Sequence, residues 1–179
     1  MFDVVVAADR EWGIGKANAL PWPKLKGDLA HFKRVTSAAP EGQRNAIVMG
    51  RKTWDSAEVA GRPLPRRLNI VISRGMPLLP AGVVVAHSLD EALGAAAHAG
   101  DVATTFVVGG AQILQDALDH AELRHVYLTR VDGTFGCDTH IPDLDARGFA
   151  PTAWDGTCDG EDGGVRYRIE RLARGEPRA

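Results

Sequence analysis

Asp28 is the residue whose chemistry most needs explaining. It falls near the start of a helical pattern, Gly27 to Ser37. With Asp28 at zero and about 100° per residue, Val35 falls at about −20°, Phe32 at about 40°, Leu25 at about 60° and Leu29 at about 100°. The carboxylate therefore lies inside the apolar stripe. Such an acid either serves the helix N-terminus, as a cap or first-turn charge, or faces an apolar pocket. Lys24 and Lys26 stand close enough in sequence to hold it as a surface ion pair. In a pocket, desolvation raises its pKa and it needs a donor-bearing partner. A cationic or amidine-like heterocycle edge suits it, because a carboxylate accepts two parallel hydrogen bonds.

Three turns have the chemistry of phosphate sites. Met49 is followed by Gly50, Arg51, Lys52 and Thr53: close backbone approach, helix-start amides, charge and a hydroxyl. It is not a Walker A loop, since Asn45 stands where the first glycine belongs and Arg51 separates Gly50 from Lys52. Ile72 is followed by Ser73, Arg74 and Gly75, a second cationic turn. Val108 is followed by Gly109, Gly110, Ala111 and a helical pattern, where a dinucleotide can lie against the backbone. Paired glycines also serve helix packing, and the full G-x-G-x-x-G fingerprint is absent, with Gln112 in place of a glycine. A long segment, Arg10 to Trp22, holds Gly13, Gly15, Asn18 and Pro21 and is either a lid or a surface connection.

Other constellations fail. There is no G-x-S-x-G elbow and no H-x-x-x-H zinc pair. Asp138 and His140 have no nearby nucleophile, and Asp143 and Asp145 read as solvated loop charges. Cys137 lacks a basic partner to activate it, and a bridge to Cys158 is disfavoured because nothing marks the chain as secreted.

The elements that must position these residues are short apolar runs bounded by Gly, Pro or charges. They are Val4 to Ala8, Ala46 to Met49, Asn69 to Ile72, Gly82 to Val85, Thr105 to Val108 and His125 to Val131. Little strict alternation means strands buried on both faces, as in a mostly parallel sheet. Helical patterns lie between them: Gly27 to Ser37, Thr53 to Val59, Leu89 to His98 and Gln112 to Leu118. The alternation predicts an α/β fold. Ala150 to Trp154 and Val165 to Leu172, joined by the Gly- and acid-rich Asp155 to Gly164, predict a terminal antiparallel pair, and the tail from Ala173 is expected to fray.

At 179 residues the chain suits one domain, and about 70% of its unfolded surface can be buried without metal or disulfide staples. Hydrophobic residues at 45% and charged residues at 25% exclude disorder, collagen and coiled coil. A net charge of −2 offers no basic field for nucleic acid or anionic membrane. With no secretory signal and no apolar run of spanning length, a cytoplasmic protein is expected. The absence of a long exposed apolar stripe makes a monomer the default expectation.

Taken in order, these residues resemble the dihydrofolate reductase family through nearly the whole chain. The match runs through Val4 to Asp9, Gly13 to Lys16, Asn18 to Trp22, Asp28-Leu29, Phe32-Lys33, Met49 to Trp54 and Gly61 to Pro65. It continues through Arg67, Asn69 to Ser73, Val107 to Gly110, Tyr127 to Thr129, Asp138-Thr139 and Pro142. The resemblance implies a single domain over residues 1–173 with an adenosine-binding subdomain at about 46–103 and a flexible tail, 174–179. Its central sheet would be mostly parallel and eight-stranded, with an antiparallel C-terminal strand and flanking helices.

It also implies roles. Asp28 would bind the pterin 2-amino group and N3, with Thr129 on the same donor set, and would promote protonation of N5. Leu20 and Trp22 would close over the nicotinamide. Val5, Val6, Ala7 and Val108 would line the pterin and nicotinamide ends, Leu29, Phe32 and Leu64 would pack on substrate, and Arg67 would clamp its α-carboxylate. NADPH would lie along Ile14, Gly15, Asn18 and Ala19, along Gly50, Thr53, Ser56, Ile72 and Ser73, and along Gly109, Gly110, Ala111, Gln112, Ile113 and Leu114. Arg51, Lys52 and Arg74 would favour its 2′-phosphate over NADH. The Gly109–Gly110 peptide would be cis. Dihydrofolate and antifolates of the methotrexate and trimethoprim classes would be the partners, and no metal is implied.

The chain departs from the bacterial pattern at Leu114, where a tyrosine is common, at Gln112, where a basic residue is common, and at Cys137, where glycine is common. Pro23 to Gly27 and Ala57 to Ala60 are longer connections. Two rival readings are a pyrimidine reductase of riboflavin synthesis, not expected to keep Asp28, Trp22 and Arg67 together, and a catalytically idle nucleotide-binding module.

Overall fold

The computed structural model describes residues 1–175. In chain order its elements are β1 (Phe2–Ala8), β2 (Gly13–Gly15), α1 (Lys26–Ser37), β3 (Arg44–Gly50), α2 (Arg51–Trp54), β4 (Arg67–Ile72), β5 (Val84–Ala86) and α3 (Leu89–His98). They continue as β6 (Val102–Gly109), α4 (Ala111–Asp119), β7 (Leu123–Val131), β8 (Thr139–His140), β9 (Phe149–Pro151), β10 (Cys158–Asp162) and β11 (Val165–Arg174).

Eight strands follow one path, β10-β11-β7-β1-β6-β3-β4-β5, and the short β9 hooks onto β11 beside it. From β7 to β5 every pairing is parallel, while β11 and β10 are antiparallel. The parallel strands are apolar because helices cover both faces. β4 is buried throughout, and β3 from Asn45 onward. Leaving β1, the chain crosses toward β3; leaving β6, it crosses the other way to β7. The carboxyl ends of these two neighbours therefore open a crevice, the place where α/β sheets bind ligands.

Three expectations change. The helix expected over Thr53 to Val59 is the single turn α2. Ser56 turns its Oγ toward the Val59 amide, and Ala60 and Gly61 take left-handed φ values of 51° and 64°. The loop Asp155 to Gly164 contains a strand, β10, folded onto β11 by Gly163 and Gly164 at φ 59° and 77°. Ala173 and Arg174, expected to fray, pair with Ala150 and Phe149, and residues 176–179 of the expected tail lie outside the described residues. Cys137 and Cys158 are free thiols.

Candidate active site

The crevice is a cleft of about 1560 Å³ running past the ends of β1, β3, β4 and β6. A pocket for one small molecule reaches roughly 1,000 Å³, so this one has room for two ligands.

Asp28 forms one end. Leu25, the N-cap position of α1, caps nothing with its side chain. The duty falls to Asp162 on β10, whose Oδ2 accepts the Gly27 amide at 3.0 Å and the Tyr167 hydroxyl at 3.0 Å. Asp28 is thereby free to turn inward. Thr129 Oγ1 on β7 donates to its Oδ1 at 2.6 Å, and no other donor among the described residues reaches it. The side chain is buried. Burial pushes its pKa up, and the Thr129 bond offsets only part of that. The choice between cap and pocket resolves to the pocket.

Beside it, Val5, Val6 and Ala7 of β1, Leu29 and Phe32 of α1, Leu64 and Val108 line an apolar stretch. Arg67 follows, only 9% exposed. Its Nη1 donates to Thr36 Oγ1 at 2.7 Å and its Nε to the Pro65 carbonyl at 3.1 Å. Burial, and then Arg66, press its pKa down. No carboxylate among the described residues pairs with it.

The other end is built from backbone. The Gly109–Gly110 peptide is cis. A Cβ on Gly109 would sit 3.0 Å from Thr53 Oγ1, and one on Gly50 would sit 3.3 Å from Ile113 Cγ1. The glycines thus keep a shallow floor that side chains would fill. Gly110 caps α4 without a side chain, so the first-turn amides of Ala111, Gln112 and Ile113 meet no capping group. Leu114 touches the cleft but is 1% exposed and belongs to the core. Ser56, Ile72 and Ser73 line the same end. Arg51 is tied to Asp55 at 2.6 Å, leaving Lys52 and Arg74 outside any ion pair among the described residues.

Ile14, Gly15, Asn18, Ala19 and Leu20 overhang the middle of the cleft. Trp22, expected to close beside Leu20, does not line it. It packs with Leu25, Val131, Tyr167 and Ile169 and meets the Phe135 ring edge-on at 5.8 Å. The rigid Pro21–Trp22–Pro23 run carries the indole behind the loop, where it acts as a buttress. Thr129 likewise stands behind the lining, reached through Asp28. Three acids that hold the loop carry no sequence signal of that role. Asp9 binds its base, Asp138 Oδ2 accepts the Ala17 amide at 2.8 Å, and Glu58 Oε1 accepts the Leu20 amide at 2.8 Å from across the cleft.

The family model described as Dihydrofolate reductase matches residues 1–174. A dihydrofolate reductase of Heliothis virescens is 38% identical over 152 residues, 82% of either chain. The chain belongs to the dihydrofolate reductase family. The fold agrees: Schistosoma mansoni dihydrofolate reductase superposes with a TM-score of 0.85 at 30% identity, covering 97% of this chain and 98% of that one. A bifunctional dihydrofolate reductase-thymidylate synthase of Glycine max is 38% identical over 97% of this chain, which spans about a third (33%) of that relative's length. The name of the Glycine max relative joins dihydrofolate reductase to thymidylate synthase in one protein.

Proposed function

We propose that the chain reduces 7,8-dihydrofolate to 5,6,7,8-tetrahydrofolate with NADPH, adding a hydride to C6 and a proton to N5. The observation that carries this reading is Asp28, buried at the apolar end of a cleft whose other end is glycine backbone and unpaired cations. The Asp28 carboxylate accepts from the pterin 2-amino group and N3, and Thr129 fixes its plane. As the acid in that pocket it makes protonation of N5 favourable. Leu29, Phe32 and Leu64 hold the rings, and the free N–H groups of Arg67 take the α-carboxylate of the glutamate tail.

The glycine floor and bare α4 amides fit a diphosphate, and Lys52 and Arg74, with Arg51 beside them, fit a 2′-phosphate. NADPH, when bound, supplies the hydride from its nicotinamide C4. Residues 46–103 carry its adenosine end. Leu20, with Ala19 and Asn18, shields the reacting rings from water while Trp22 supports the loop from behind. Diamino heterocycles of the methotrexate and trimethoprim classes compete at Asp28. We assign the protein to the cytoplasm as a monomer; no helix of the described residues is long and apolar enough to cross a membrane.

A spectrophotometric assay tests the reading: NADPH oxidation that depends on dihydrofolate, is stopped by methotrexate and is slower with NADH supports it. NADPH binding that quenches tryptophan fluorescence without turnover of dihydrofolate refutes it.

A further inference from the structure

We propose that Asp9 is a positioning residue for the hydride-transfer step: its single carboxylate ties the loop over the cleft to the 132–138 loop and so sets where the cleft-facing residues stand. The proposal rests on the reduction assigned above and names a group that touches neither substrate nor cofactor.

Asp9 follows β1 directly and is 5% exposed. Its Oδ1 accepts the amides of Glu11 at 2.9 Å and Gly13 at 2.8 Å, both on the overhanging loop. Its Oδ2 accepts the Phe135 amide at 3.1 Å and the Cys137 thiol at 3.5 Å, both on the other loop. Each oxygen thus serves a different loop. The backbone closes the same turn, with the Asp9 amide donating to the Gly13 carbonyl at 2.9 Å and the Trp12 amide to the Asp9 carbonyl at 3.0 Å. Trp12 takes a left-handed φ of 62°, which a bulky residue adopts only when its surroundings impose it. Gly13 is a requirement of the same unit, since a Cβ there would fall 2.4 Å from Cys137 Sγ and 3.0 Å from Asp9 Oδ1.

The tie continues outward. β2 pairs with β8 at Gly13–His140 and Gly15–Thr139, and the Asp138 amide donates to the Gly15 carbonyl at 3.1 Å. Gly15, Ile14 and Leu20 then reach the cleft. On the other loop, Phe135 bears on Trp22, the buttress of Leu20. A change at Asp9 therefore reaches the overhang from its base and from behind. Burial pushes the Asp9 carboxyl up, but the amides of Phe135, Gly13 and Glu11 outweigh it and hold the carboxyl below its usual range. The tie is thus ionised at neutral pH and works as a fixed brace.

The test compares Asp9→Ala and Asp9→Asn with the wild-type chain. Single-turnover hydride transfer, dissociation constants by tryptophan quenching, and amide hydrogen exchange are measured together. Displacement of a reacting group by about 1 Å costs up to about 100-fold, so Asp9→Ala is expected to slow hydride transfer about tenfold or more. Affinities for NADPH and dihydrofolate should stay within about twofold. Asp9→Asn should recover part of the rate, because its carbonyl still accepts from Glu11 and Gly13 while its amide group opposes the Phe135 N–H. Exchange should quicken in residues 10–15 and 132–138 together. An unchanged hydride-transfer rate, or quickened exchange in one loop alone, overturns the proposal. If Asp9→Ala does not fold, Asp9→Asn and Asp9→Ser decide by the same readouts. A wild-type chain that fails to reduce dihydrofolate removes the functional reading, whereas the exchange arm tests the brace on its own.

Discussion

Arg67 concentrates the substrate-side prediction in one group. A buried guanidinium without an acid partner is costly unless an anion joins it. A hydrogen bond to a charged group contributes about 1.5–3 kcal/mol, so Arg67→Leu should raise the KM for dihydrofolate roughly 10- to 100-fold while leaving the KM for NADPH unchanged. Steady-state kinetics on both substrates check the split. At the cofactor end, Lys52→Ala combined with Arg74→Ala should raise the KM for NADPH tenfold or more and barely move that for NADH, because only NADPH carries the 2′-phosphate. Equal losses for the two cofactors would contradict that assignment. Lys52 and Arg74 stood out in the sequence as charges just past apolar strands, whereas Arg67, the first residue of β4, was named only through the family resemblance. Glu58 was not legible, since its partner Leu20 lies across the cleft and no local pattern encodes that meeting. Trp22, expected over the cleft, stands behind the loop instead, because its packing partners come from β7, β11 and the Phe135 loop.

Helix α1, which carries Asp28, depends on an element at the far end of the chain. Gly27 lets α1 approach β11, and a Cβ there would lie 2.0 Å from Tyr167 Oη. Tyr167 is buried and also bonded to Asp162, so it cannot swing aside freely. Overpacking of this kind costs about 1–3 kcal/mol. Gly27→Ala should lose about that much in urea unfolding, and the displaced helix should weaken dihydrofolate binding through Asp28. A variant as stable as wild type would show that the hairpin gives way easily. Helix α3 was readable to the residue, because Ser88 caps the Glu91 amide and Glu91 Oε2 answers on the His87 amide. β10 was not, since Cys158 to Asp162 is polar and becomes a strand only by pairing with β11.

Across the whole molecule, the parallel sheet was legible from unbroken apolar runs, and its strand ends located the cleft. The loop acids were not legible, because each bonds amides that only the finished fold brings near. Ligand linkage gives a global check: at 100 times its Kd, NADPH should add about 2.7 kcal/mol, raising Tm by roughly 5 to 10 °C, and NADH at the same concentration should add less. Asp28 makes a second global prediction. Folding raises its pKa, so the native state resists an ionisation that the unfolded chain makes freely. Stability is lost as pH climbs from the ordinary carboxylate value through the folded one. Asp28→Asn should therefore melt higher than wild type at pH 7, with the difference vanishing below the ordinary carboxylate pKa.

The most direct test is the pH dependence of hydride transfer in wild type and Asp28→Asn. The wild-type rate should fall as pH rises through an ionisation above the usual carboxylate range. Asp28→Asn should lose that ionisation and about 100-fold or more of the rate at neutral pH, while still binding NADPH. A variant that keeps the wild-type rate and profile would mean that the carboxylate buried beside Thr129 has no part in the chemistry.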